Sequence, residues 1–200
     1  MAFMTSRYEY ASPENHVEQR EGLSPVVREN LFDIPREKWN QDPRFSGEPA
    51  FWLEIHKGLL TASATLPKWV AAVLEEKDPA RLRAIAGQAS GLAGQLVHHA
   101  HSHHHIEDHH FFPVFLRMFP ALEYPMDLLE NDHKVLAVVL DEMESANAEL
   151  SAALRNGGKD AGAILKAAEN LHDASERLDR FFLRHIQDEE EICVPVMLNM

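Results

Sequence analysis

Residues 101–115, HSHHHIEDHHFFPVF, lie without gaps over residues 183–197, LRHIQDEEEICVPVM, at an offset of 82 residues. His103 falls on His185, Glu107 on Glu189, Asp108 on Glu190 and Pro113 on Pro195. Each copy therefore carries H-x-x-x-E shortly before a proline. On an α-helix, positions i and i+4 share a face about one turn apart, so each copy offers an imidazole nitrogen and a carboxylate to the same point in space. Two copies of such a pair, on two helices, describe a place for metal ions rather than a single surface ion pair.

Working outward, the flanking segments read as helices. Residues 48–76 have apolar side chains at three- and four-residue spacing, Trp52, Ile55, Leu59, Ala62 and Leu66; they predict a first helix, bent or broken near Pro67. Residues 79–118 carry Leu92, Leu96, His99, His103, Ile106 and His110 at alternating steps, which predicts a second helix with histidines on its inner face. Residues 126–155, with Leu129, His133, Leu136, Leu140 and Met143, predict a third, closed by Asn156-Gly157-Gly158. Residues 159–194, with Leu171, Leu178, Phe181, His185 and Ile192, predict a fourth. Short connections favour an all-α, up-down-up-down four-helix bundle over residues 47–200. Residues 1–46 are polar and punctuated by proline, and read as an extended, largely irregular N-terminal arm in which LSPVVRENLF is suited to one short helix.

The composition narrows the function. At 200 residues the chain suits one core, and only 9 glycines with many Ala, Leu and Glu favour helix. A net charge of −13 gives no general electrostatic reason to approach nucleic acid or an anionic membrane. The single cysteine, Cys193, excludes an intrachain disulfide and multi-cysteine zinc sites, so a metal here is bound by N and O. Without a long apolar run, the expected setting is cytoplasmic. Histidine is the outlier, 13 residues with 8 of them between His98 and His110.

The first and third helices each add one inward histidine, His56 and His133, so the order is H, HxxxE, H, HxxxE over four helices. Four imidazoles and two carboxylates suit a dinuclear centre of Fe, with Mn and Zn compatible by ligand type, and leave positions for a bridging oxygen and a small ligand. With the trailing FFP after Glu107, the Asp132-His133 pair and the VPV after Glu189, the sequence resembles the hemerythrin-like, or HHE cation-binding, family over residues 48–197. The resemblance implies two iron ions with an oxo or hydroxo bridge, Glu107 and Glu189 as bridging ligands, and His56, His103, His133 and His185 as terminal ligands. It further implies a small diatomic partner, O₂ or NO, in a sensing, storage or redox role, with no catalytic residue assigned. The oxygen carriers of that family have a fifth histidine one turn along the third helix, where this chain has Leu136 and Ala137. His110 and His104 are the two candidates to replace it.

The other histidines have plainer readings. His98, His101, His105 and His109 read as solvated, His99 as a hydrogen-bonded core residue, and His16 and His172 as incidental. Asp108 and Glu190 read as outer acids beside the ligands, and Cys193 as an inert buried thiol. Trp52, Phe111, Phe112, Phe115, Phe181 and Phe182 read as core, some of them lining the metal pocket. Three rival functions remain: a di-iron oxidase or peroxidase-like enzyme, a metal-stabilised regulatory module, and a ferritin-like carboxylate site. The last would need Glu107-x-x-His110 and Glu130-x-x-His133 on alternate rather than adjacent helices.

Overall fold

The computed structural model describes residues 8–155 and 160–200, all helix, turn or irregular chain with no strand among them. Two four-residue helices, α1 (Pro25–Arg28) and α2 (Arg36–Trp39), and a 3₁₀ turn (Pro43–Ser46) punctuate the arm. Four long helices follow: α3 (Glu48–Glu75), α4 (Pro79–Ile106), α6 (Glu123–Arg155) and α7 (Ala161–Met197). Between α4 and α6, a π-turn (Glu107–Phe111) leads into the short α5 (Phe112–Met118). No helix among the described residues is long and apolar enough to cross a membrane.

Helix ends follow local chemistry. Asp78 caps α4 by accepting from the Ala80 and Arg81 amides, with Pro79 at the first helical position. Asp160 accepts from the Ala163 amide at the start of α7, while the expected start at Lys159 lies outside the described residues. The predicted Asn156-Gly157-Gly158 stop lies outside the described residues. Pro67 does not break α3, which runs unbroken through it, because a proline removes one backbone hydrogen bond while the neighbouring turns keep theirs.

Contacts divide the chain into two compact units, and each long helix contributes a segment to both. The unit formed by Lys57–His103 and Leu136–Phe182 buries an aliphatic set including Leu59, Leu66, Val70, Leu140, Leu171 and Leu178. Within it, Arg177 reaches Glu142 and Asn170 reaches Glu149, while Ser90 meets Ser151 and His101 meets Glu144. Rising numbers on α6 pair with falling numbers on α7 and on α4, so α6 runs antiparallel to both there.

The other unit comprises the described residues up to His56 together with His104–Val135 and Leu183–Met200. Its core gathers Leu23 and Val27 of the arm with Trp52, Phe112, Phe115, Met126, Leu129, Ile192 and Val196. A smaller cluster joins Trp39 to Val194 and Leu198. Rather than extending away, the described part of the arm packs against these clusters.

Beyond Leu96, which is buried as expected, the seam of the second predicted helix is displaced toward the C-terminus. The buried line is Ala86, Ala89, Ala93, Leu96, Ala100, His104 and Glu107, and then Phe112 and Phe115. His99 and His110 are exposed and Ile106 is 51% exposed, against the expectation that all three face inward. Two causes combine. Small alanines carry the inner face, so the larger Leu92 and Ile106 drew the reading off line. The π-turn then inserts an extra residue, making the step from Glu107 to Phe112 five rather than four.

Candidate metal centre

The histidines and acids converge in two groups of donor atoms, each group lying within 4.8 Å of itself. One is His104, His133 and His185; the other is His56, His103, Glu107 and Glu189. All six residues expected as ligands are therefore brought into these groups, together with His104. His110 belongs to neither; it is exposed and its ring meets Phe111 edge-on. Of the two candidates for a fifth histidine, His104 is the one at the site.

In the three-histidine group the ring centroids of His104 and His133 are 4.6 Å apart and those of His133 and His185 are 4.9 Å apart. The Nε2 atoms of His133 and His185 face each other at 3.2 Å. Two imidazoles bound to one ion at about 2.1 Å hold their nitrogens roughly 3.0–3.4 Å apart, so this spacing fits a shared cation.

The glutamates tie the groups together. Glu107 turns Oε1 toward His56 Nε2 at 3.8 Å and Oε2 toward His133 Nε2 at 3.7 Å, one oxygen for each group. Glu189 behaves differently. Its Oε1 accepts from Trp52 Nε1 at 3.0 Å, while its buried Oε2 lies 3.5 Å from His56 Nε2 and 3.4 Å from His185 Nε2. These distances are long for hydrogen bonds but ordinary for ligands around a common ion. The donor set therefore fits metal.

The charge balance explains how such groups tolerate burial. Burial disfavours the charged form of His185, but Asp132 and Glu189 outweigh it and push its pKa up to about 9. Burial likewise opposes charge on His56, and Glu189 and Glu107 overcome it, holding the ring well above its usual range. Burial works against ionised Glu189 too, yet His56 and His185 keep it well below the usual carboxylate range. Without a cation the centre is held by protons on the His56 and His185 imidazoles, which a bound metal would displace.

Three of the ring nitrogens that face away from the cluster meet carboxylates. His56 Nδ1 lies 3.2 Å from Glu190, His133 Nδ1 lies 2.7 Å from Asp108, and His185 Nδ1 lies 3.0 Å from Asp132. This directs each Nε2 inward and fixes the tautomer a ligand needs. Asp108 and Glu190 thus serve as the sequence suggested. The role of Asp132 is not legible in the sequence beyond its place beside His133. Nor are those of Arg20 and Arg36, whose contacts cross more than 100 residues of chain. Around the centre, Phe112 stacks on His133 at 5.5 Å and Trp52 packs edge-on to His56 at 5.9 Å. Cys193 is buried, and burial pushes its thiol well up, in keeping with an inert residue.

Two buried clusters of histidine and glutamate donors on a helical scaffold fit the class of all-α metal-binding proteins. Comparison with protein families matches residues 49–197 to the hemerythrin HHE cation binding domain, and the chain belongs to that family. Searches of curated proteins and of solved structures returned no match.

Proposed function

We propose that this chain is a non-haem di-iron protein that binds O₂ or a related diatomic ligand such as NO, in a sensing, storage or redox role. The observation that carries the reading is the division of the donors into two groups that Glu107 spans, one oxygen toward each. His104, His133 and His185 would hold one ion, His56 and His103 the other, and Glu107 and Glu189 would reach both. Iron there would supply one-electron redox chemistry and an open position for a small ligand. The protein orients its imidazoles through Asp108, Asp132 and Glu190, and keeps water away with Trp52 and Phe112. His104 supports the reading further by restoring, from α4, the third histidine that the third predicted helix does not provide.

Iron analysis of the protein purified from iron-supplemented cells tests the count, with two irons per chain expected. The reduced protein exposed to oxygen should then show a reversible change in its visible spectrum. Steady consumption of oxygen or peroxide with a reductant would instead establish an oxidase or peroxidase-like enzyme. Fewer than two metals per chain would overturn the di-iron reading.

A further inference from the structure

The N-terminal arm lies before the family match, yet two of its arginines end on carboxylates that hold ligand histidines. Arg20 donates from Nη1 to Asp132 Oδ1 at 2.9 Å and from Nε to Asp188 Oδ2 at 2.7 Å, and Tyr10 adds its hydroxyl to Asp132 at 2.8 Å. The side chains of Arg20, Asp132 and Asp188 are fully buried. Asp132 in turn meets His185 Nδ1 at 3.0 Å. Farther along, Arg36 pairs with Glu190, the carboxylate 3.2 Å from His56 Nδ1. Arg184 fastens the arm as well, donating to the Glu21 carbonyl at 2.6 Å while also pairing with Asp188.

We propose that the arm is a working part of the metal centre: Arg20 positions His185 through Asp132, and Arg36 positions His56 through Glu190. An imidazole bound through Nε2 swings about its Cβ unless Nδ1 is held, and a carboxylate holds it only as firmly as the carboxylate itself is held. A guanidinium fork fixes Asp132 in two directions, which a single flexible ammonium would not do. The two relays end in different donor groups, Arg20 in the three-histidine group and Arg36 in the group with both glutamates. The arm therefore tunes each metal position separately. His133 is the internal contrast: its partner Asp108 has a side chain 34% exposed, and no arm arginine reaches it among the described residues.

The inference rests on the two-metal reading, and its test separates the two. Co(II) is titrated into the metal-free full-length chain, with binding followed by visible absorption and calorimetry. His104→Ala identifies the step that belongs to the three-histidine position. Arg20→Gln should weaken that step about tenfold and leave the other unchanged, while Arg36→Gln should do the reverse. Arg20→Lys should recover part of the loss. If Arg20→Gln fails to fold, Tyr10→Phe removes only a neutral donor from Asp132 and should give a smaller loss at the same step. Arg36, whose side chain is 60% exposed, is replaceable without threatening the fold. Two Co(II) steps in the wild type with both steps unmoved in the variants, or with both steps lowered equally by each variant, would overturn the positioning role alone. Fewer than two steps in the wild type would overturn the two-metal reading and this inference with it.

Discussion

Between Glu107 and Phe111 the first copy of the repeat winds into a π-turn, whereas the second runs from His185 through Pro195 as unbroken α-helix. Both copies carry the same proline, so the proline is not what inserts the extra residue. The difference lies in what each copy must bury. The first has to turn both Glu107 and Phe112, five apart, into one core, with Phe112 stacked on His133. The second buries Glu189 and Cys193, four apart, which an α-helix brings inward unaided, while Val194 packs in the separate cluster with Trp39. The glutamates part ways accordingly: Glu107 spans the two groups with its two oxygens, while Glu189 presents Oε2 and leaves Oε1 to Trp52. Two motifs that share histidine, glutamate and proline in register thus make unequal halves of one centre, the first contributing two adjacent histidines and the second one.

The largest expected effect tests whether that inequality reaches the metal. Glu107→Ala and Glu189→Ala should each lose both ions, because each carboxylate stands beside imidazoles of both groups. Metal analysis showing one ion retained in either variant would confine that glutamate to one position. Next, His104→Ala should lose the ion of the three-histidine position and keep the other, while His110→Ala should leave metal content unchanged; equal behaviour of the two variants would remove His104 from the site. Trp52→Phe keeps the aromatic packing but deprives Glu189 of its donor. It should lower the stability of the metal-free chain by about 1.5–3 kcal/mol in denaturant titration, the usual worth of a hydrogen bond to a charged group. No change would mean that Glu189 does not depend on Trp52. A further expectation concerns the second copy and pH. The pKa of His185 stands at about 9 in the fold against an ordinary 6.5, so its protonated ring stabilises the metal-free chain fully below pH 6.5. That contribution is lost as pH rises through about 9. Thermal melts across this window should show a falling melting temperature for metal-free protein and little of that fall once metal replaces the proton.

What could be read before folding followed from period and spacing. Leu129, His133, Leu136, Leu140 and Met143 are all buried as their steps foretold, because regular helices carry α6 inward with a fixed period. The histidine and glutamate of each HxxxE pair stay together for the same reason, since an i, i+4 pair on a helix keeps its geometry wherever the helix packs. Where the period changes, the reading failed: alanines marked the inner face of α4 too faintly, and the π-turn turned His110 outward.

By itself, then, the sequence determined the helices, the family and most of the clustered donor residues, which follow from period and spacing within each helix. Tertiary structure decided that His104 rather than His110 joins the site, that Glu107 and Glu189 face the two groups differently, and that Arg20 and Arg36 hold the carboxylates behind His185 and His56. Those outcomes depend on which distant side chains share a buried space, and hydrophobic period carries no record of that.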